Sequence, residues 1–225
     1  MSTIKPIVTD YYPNIAVLVE FCTTDLIVTV VHNVNDHILS TWSIQIFHEK
    51  DNQYFIRNST LAPLILSGKI ILTYMNVVHG KNETNTLLTD LKFWQRVRGE
   101  KIFFFQIDSI MCRNSPHKIT DYFQYDYIGY VDNGGFSLRS RNETLALLAL
   151  RPYNKQMPED VWYGLNLRQV NGLVAPVHIA KTFAVESLYY ERPLGVHQFN
   201  LLCSVREKLF QTCSESRMAM FEKCK

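Results

Sequence analysis

The first 107 residues alternate between apolar runs and segments whose apolar positions follow a helical spacing. Four runs rich in apolar side chains predict strands: residues 15–19, 42–47, 69–74 and 101–107. Three segments between them predict helices: residues 26–34, 54–66 and 84–97. Strands that are apolar on both faces and alternate with helices are typical of a parallel sheet with right-handed crossovers. We therefore expect an α/β fold with a mainly parallel central sheet.

The pattern changes at Asp108, after which the elements become shorter and richer in Tyr, Asn, Gly and Pro. No linker, repeat or low-complexity stretch interrupts the 225 residues, so we expect one domain whose second half extends the same sheet. Its Rossmann-like first half, residues 1–109, is predicted to bind a nucleotide. We expect residues 110–200 to form a mixed second half and residues 201–225 a helical tail.

The composition excludes several classes of protein. Hydrophobic residues make up 47% of the chain and charged residues 20%, as in a globular protein, and the net charge of +2 provides no basic field for nucleic acid. No run approaches the roughly 18 to 20 apolar residues of a membrane span. The N-terminus lacks a signal-peptide pattern, which predicts a cytoplasmic protein. Five scattered cysteines without a C-x-x-C pair predict reduced thiols, not disulfides or a zinc site.

An acidic residue, Asp108, follows the very apolar strand of residues 101–107. Because open α/β sheets bind ligands at the carboxyl ends of their strands, Asp108 is placed to hold a divalent cation against a diphosphate. The alternative is an aspartate that caps the next turn.

Three further motifs carry candidate chemistry. Asn133-Gly134-Gly135 permits close approach of the backbone to a ligand, and Arg139 and Arg141 follow it as candidate phosphate ligands; a plain hairpin is the alternative. The remaining two motifs are Glu159-Asp160, either a helix start or a general base, and His197, either structural or a metal ligand.

In this order the motifs resemble those of nucleotide-sugar glycosyltransferases of the GT-A fold. More closely, the chain resembles a little-characterised GT-A-like family of fungi, algae, bacteria and large DNA viruses. The matching segments are residues 19–21, 42–48, 105–109, 125–129, 133–141, 159–161 and 195–197. The most specific is Asn-Gly-Gly-Phe-Ser-Leu-Arg-Ser-Arg at residues 133–141.

The resemblance implies a role for each matching position. Asp108 corresponds to the last acid of an Asp-x-Asp motif and His197 to a C-terminal metal ligand, so that Mn²⁺ or Mg²⁺ is the implied cofactor. Gln106 stands where the first acid would be, which puts the metal dependence in doubt. The remaining nucleotide-sugar positions are Glu20, Phe21, Gln45, His48, Ser109, Asn133, Gly134, Gly135, Arg139 and Arg141.

The implied activity is transfer of a sugar from a UDP- or GDP-sugar to a hydroxyl of a glycan or glycoprotein. Asp160, or Glu159 beside it, would accept the proton of that hydroxyl in an inverting displacement; a retaining enzyme would not need this base. The alternatives are a catalytically degenerate nucleotide-sugar or glycan-binding module, and a subunit of a glycan-assembly complex. If the chain is viral, the host cytoplasm is the expected compartment.

Overall fold

A computed structural model describes residues 11–76, 83–129, 134–199 and 201–219. The strands are β1 Tyr12–Val19, β2 Ser43–His48, β3 Ile70–Tyr74, β4 Gly99–Phe105, β5 Ser109–Met111, β6 Tyr127–Ile128, β7 Phe136–Ser140, β8 Ala184–Val185 and β9 Gly195–His197. The α-helices are α1 Leu26–His37, α2 Lys50–Asn58, α3 Ala62–Leu66, α4 Glu83–Leu87, α5 Leu91–Arg96, α6 Arg141–Leu150, α7 Glu159–Asn166, α8 Val177–Phe183 and α9 Cys203–Thr212.

The central sheet has the strand order β3-β2-β1-β4-β7-β6. The first four strands in this order are parallel, whereas β7 runs antiparallel to β4 and β6 antiparallel to β7. The predicted α/β class and the four predicted strands are confirmed. The predicted helix over residues 84–97 is instead two helices: α4 ends at Leu87, and Asp90 caps α5 by accepting a hydrogen bond from the Lys92 amide.

The central strands are apolar throughout because each of their faces packs against a separate core. In β1, Ala16 and Leu18 belong to one buried cluster, and Ile15 and Val17 belong to the other. In β4, the alternation of residues 102–105 divides the side chains between the same two clusters. Successive side chains of a strand point to opposite faces, so this two-sided burial requires an unbroken apolar run.

A second, small sheet has the order β5-β9-β8. The expectation that the second half extends the central sheet is therefore correct for β6 and β7 and wrong for these three strands. The side-chain amide of Asn33 in α1 donates to the Met111 carbonyl at 3.0 Å and accepts from the Met111 amide at 2.7 Å. This buried pair of bonds satisfies the free edge of β5, which would otherwise lack partners.

A disulfide joins Cys112, directly after β5, to Cys213, directly after α9. The prediction of reduced thiols is wrong for this pair, and Cys203 is disulfide-bonded as well. The two cysteines are 101 positions apart, so only the packing of the C-terminal segment on β5 brings them together. Cys22 is an exposed free thiol, and Cys224 lies outside the described residues.

Within the described ranges, no helix combines the length and the apolar character required to cross a bilayer.

We expect Cys112→Ser to lower the free energy of unfolding by about 2–5 kcal/mol, because a bond across so long a loop restricts the unfolded chain. Urea denaturation of the oxidised variant and the oxidised wild type measures this loss. Cys22→Ser is the matched control and should unfold as the wild type does. A Cys112→Ser variant as stable as the oxidised wild type would contradict the role given to the disulfide.

Candidate active site

The carboxyl ends of the parallel strands bring several predicted residues to one edge of the central sheet. Glu20 follows β1, His48 ends β2, and Gln106 and Asp108 follow β4. Strand β7 runs antiparallel to β4 with Phe136 opposite Phe105, so the glycines before β7 lie beside the residues after β4. Ligands of open α/β sheets bind at such an edge.

Three polar side chains meet at this edge. Nε2 of His197 lies 3.1 Å from Oε1 of Gln106 and 3.3 Å from Oδ1 of Asp108. Oδ1 of Asp108 is buried and has no hydrogen-bond partner. Strand β9 sets this position, because the antiparallel pairing of Ser109 with His197 and the Gln198-to-Asp108 backbone hydrogen bond align the two segments.

Gly135 covers this cluster. A Cβ atom at Gly135 would lie 2.1 Å from Nε2 of His197 and 2.5 Å from Oε1 of Gln106, so no larger residue fits without displacing them. The Gly135 carbonyl accepts hydrogen bonds from the Gln106 amide and the Ser109 hydroxyl. Ser109 is buried and therefore fastens the glycine segment to the strand end, a structural task rather than the ligand contact predicted for it.

The electrostatic environment of His197 is acidic. Burial alone would lower the pKa of His197, but contacts with Asp108 and Glu186 raise it from 6.5 to about 9. The imidazole therefore lies between two carboxylates, with Nε2 towards Asp108 and Nδ1 towards Glu186 at 3.6 Å.

A buried ion pair between Arg139 and Glu159 packs against the glycine segment. Both terminal nitrogens of Arg139 donate to the two carboxylate oxygens of Glu159, each at 3.1 Å. The guanidinium also faces the aromatic rings of Trp94, Phe104, Tyr127 and Tyr163 at 5.1–5.6 Å. Burial acts to lower the pKa of Arg139, yet the Glu159 carboxylate holds it above its ordinary value, so the guanidinium stays charged.

This pair corrects two predictions. Arg139 is fully buried and bound to Glu159, so it is not available to a phosphate; for the same reason Glu159 is not a free base.

Arg141 is buried as well and donates to the carbonyls of Trp94 and Gln95, where it caps the end of α5. A Cβ at Gly134 would lie 2.3 Å from Oε1 of Glu159, which explains the glycine there.

The predicted nucleotide-contacting residues separate into two groups. The Glu20 carboxylate accepts hydrogen bonds from the amides of Phe21 and Cys22, which fixes the turn after β1 at the candidate edge. Gln45 is fully buried, and its amide bonds Thr73, the Arg96 carbonyl and the Arg98 amide next to the start of β4. Gln45 is thus fully buried and hydrogen-bonded within the fold, so its side chain is not open to a ligand, contrary to the prediction.

Three further predicted positions complete the comparison. His48 is buried, with Nδ1 2.9 Å from the Glu49 carbonyl. Asp160 lies beside Glu159 in the first turn of α7, where it is 6% exposed and its Oδ1 accepts from the Val161 amide. Asn133 lies outside the described residues.

Sequence reasoning missed Glu186, whose carboxylate faces His197. It follows β8, and no motif surrounds it; the parallel pairing of β8 with β9 is what brings it to the histidine. Among the residues that the structure describes, no group of three His, Cys, Asp or Glu side chains forms a metal cage.

The chain belongs to a family described as protein of unknown function (DUF5672). The sequence model of this family matches residues 69–197, more than half of the chain. The matched segment contains the Asp108 strand end, the glycine segment, the Glu159-Asp160 helix start and His197. No curated protein sequence matches the chain.

Solved glycosyltransferase structures share the fold. A mannosyltransferase from Pyrobaculum calidifontis in complex with GDP-Man and Mn²⁺ superposes with a TM-score of 0.52 at 11% identity, over 76% of this chain and 56% of that one. The glycosyltransferase GlyE of Streptococcus pneumoniae TIGR4 gives 0.54 at 12% identity in its apo form, over 95% of this chain and 61% of that one. A second GlyE structure gives 0.53 at 10% identity, over 94% and 61%. The chain spans less than two thirds of each of these proteins.

We expect Arg139→Met to lower the free energy of unfolding by about 3–5 kcal/mol, because it leaves the Glu159 carboxylate buried without its partner. Combining it with Glu159→Leu should restore part of the loss, since neither charge is then buried. Chemical denaturation of the two single variants and the double variant measures the coupling. Arg151→Met, at an exposed arginine, is the control and should stay within about 0.5 kcal/mol. If the effects of the two single substitutions simply add up in the double variant, this account is contradicted.

We expect Gly135→Ala to destabilise the chain by about 1–3 kcal/mol and to displace His197, because the new methyl group meets a ring with polar partners on both nitrogens. Gly164→Ala is a matched control: no atom lies within 4 Å of its Cβ position, and alanine favours the helix. Denaturation and ¹⁵N-histidine NMR measure the two effects. Equal stability and unchanged histidine signals in both variants would contradict the prediction.

Proposed function

We propose that this protein is a glycosyltransferase that moves a sugar from a nucleoside diphosphate sugar to a hydroxyl acceptor. The observation that carries the proposal is the meeting of Asp108, Gln106 and His197 beneath Gly135, at the carboxyl edge of a glycosyltransferase-like sheet. Glu20 and Phe21 at the neighbouring strand end lie on the side proposed for the nucleotide.

A divalent cation suits the side chains at this edge. Asp108 contributes a buried oxygen without a hydrogen bond, His197 a ring nitrogen and Gln106 an amide oxygen, all ligand types that Mn²⁺ accepts. Three protein carboxylates or imidazoles are not required, because a cation of this kind takes much of its coordination from substrate phosphates and water. The mannosyltransferase with the similar fold was solved with GDP-Man and Mn²⁺, which supports the choice of cofactor and of donor class.

Asp108 and His197 would hold the cation, and Gln106, in place of an acid, lowers the negative charge around it. When bound, a divalent cation offsets the charge that develops on a departing diphosphate. Gly135 lets the glycine segment pack directly against these side chains, and Ser109 keeps that segment in place against Gln106.

Of the two adjacent acids, Asp160 is our candidate for the residue that accepts the acceptor's proton. Glu159 is held by Arg139 and cannot move towards a substrate without breaking a buried ion pair. That pair in turn fixes the first turn of α7, so the backbone of Asp160 has a defined position. A base prepositioned in this way raises the rate by general base catalysis in an inverting displacement.

We further propose that residues 1–225 act as one catalytic unit, with the nucleotide on residues 1–109 and the acceptor on residues 110–200. The Cys112–Cys213 disulfide favours an oxidising compartment over the predicted cytoplasm, because cytosolic thiols are kept reduced. The acceptor is proposed to be a glycan or glycoprotein.

The experiment measures release of nucleoside diphosphate from UDP- and GDP-sugars with Mn²⁺, together with the thermal shift each donor produces. Asp108→Asn should abolish turnover, since it removes the charge and keeps the shape. Asp160→Asn should lower kcat at least 100-fold while the donor still raises the melting temperature, because a base acts in the chemical step and not in donor binding.

Asp36→Asn, an exposed aspartate near the end of α1, is the control and should turn over at the wild-type rate. Full turnover by Asp108→Asn would contradict the proposal. Donor binding by the wild type without turnover on any acceptor would instead favour a binding module, for which the neutral Gln106 is the supporting feature.

A further inference from the structure

Glu186 is a partly buried acid that the proposed mechanism does not use. Its side chain is 18% exposed, its Oε2 is buried without a hydrogen bond, and the polar atom it faces is Nδ1 of His197 at 3.6 Å. Nδ1 of His197 likewise has no hydrogen bond. Two buried polar atoms that face one another without a hydrogen bond, one on a carboxylate and one on an imidazole, require an explanation.

The small sheet dictates this arrangement. Ala184 pairs with Gly195 and Val185 with Val196 in parallel register, so Glu186 is the next position beside His197. On the other side of β9, Ser109 pairs with His197, which brings Asp108 to the opposite ring nitrogen. The order across the sheet is therefore Asp108, His197, Glu186.

Packing against the central sheet holds β9 in this register. A Cβ at Gly195 would lie 2.2 Å from the Phe136 ring and 2.7 Å from the Ile110 carbonyl, so β9 lies closely between β7 and β5. The disulfide at Cys112 anchors β5 from its far end. The imidazole consequently has little freedom to translate, and its remaining freedom is rotation of the ring.

We infer that Glu186 is a positioning residue for His197: when a divalent cation is bound, its carboxylate accepts a hydrogen bond from Nδ1–H and so presents the Nε2 lone pair to the cation that His197 shares with Asp108. The inference rests on the proposed function, in which His197 is a cation ligand. Histidines that bind metals usually donate their other ring N–H to a carboxylate, carbonyl or water, which fixes both the tautomer and the ring orientation. Here Glu186 supplies that acceptor.

Mn²⁺ affinity tests the inference without any sugar transfer. In the presence of saturating GDP, Mn²⁺ is titrated into the protein, and electron paramagnetic resonance measures the concentration of free Mn²⁺. We expect Glu186→Leu to weaken Mn²⁺ binding about 10- to 100-fold, the usual effect of removing such a partner. Glu186→Gln still accepts a hydrogen bond from Nδ1–H but lacks the charge. Its Mn²⁺ affinity should lie between those of Glu186→Leu and the wild type. Glu191→Gln, at a nearby exposed glutamate, should bind as the wild type does.

The environment of the Nδ1–H of His197 is the second measurement, because a glutamate that does not contact the ring would leave it unchanged. In ¹⁵N-histidine NMR of the metal-free protein, the Glu186→Leu variant should lose the fixed Nδ1 environment of the wild type, whereas Glu186→Gln should retain most of it. Circular dichroism and the melting temperature confirm that each variant is folded.

Equal Mn²⁺ affinities of the wild type and Glu186→Leu would overturn the inference, as would a wild type that binds no Mn²⁺ with GDP. Failure of the proposed function is distinguishable from either result. A wild type that binds Mn²⁺ and a nucleotide sugar, weakened at Glu186→Leu, but transfers no sugar would contradict the catalytic proposal and support the role of Glu186.

Discussion

A guanidinium placed in an apolar core must keep a carboxylate partner, and this constraint organises the second half of the molecule. Arg139 lies on the strand that pairs with β4, and Glu159 lies in the first turn of α7. Their bidentate contact links strand and helix, and the Gly134 segment rests against it. Replacing one partner leaves a buried charge unpaired, so the strand and the helix must keep this contact.

The candidate site depends on a second constraint, the register of the small sheet. Asp108, His197 and Glu186 come from three segments separated by 11 to 89 positions, and the short strands β5, β9 and β8 align them side by side. Asn33 satisfies one edge of this sheet, and the disulfide fixes the end of β5. Since the chain belongs to a family of unknown function and the similar solved structures share 10–12% identity, the geometry of these residues carries the functional argument.

Individual residues show where sequence reasoning succeeded and where it failed. The position of Asp108 after an apolar strand is as predicted, and its role as a ligand stays a prediction based on where α/β sheets bind ligands. The sequence predicts phosphate ligands at Arg139 and Arg141, because a positive charge near glycines suggests an anion site, yet both side chains bind buried partners. The prediction that Gln45 lines the pocket failed for a similar reason. An amide in an apolar strand is compatible both with a pocket wall and with a structural hydrogen bond.

The sequence by itself determined the four parallel strands and the edge at which Asp108 and the glycines lie. It did so because burial on both faces requires continuous apolar runs, and such a local pattern needs no knowledge of distant contacts. Only the tertiary structure decided the Cys112–Cys213 bond, the burial of Arg139 on Glu159 and the meeting of Glu186 with His197. Each of these joins residues distant along the chain, and their pairing is set by packing and register, which spacing in the sequence does not encode.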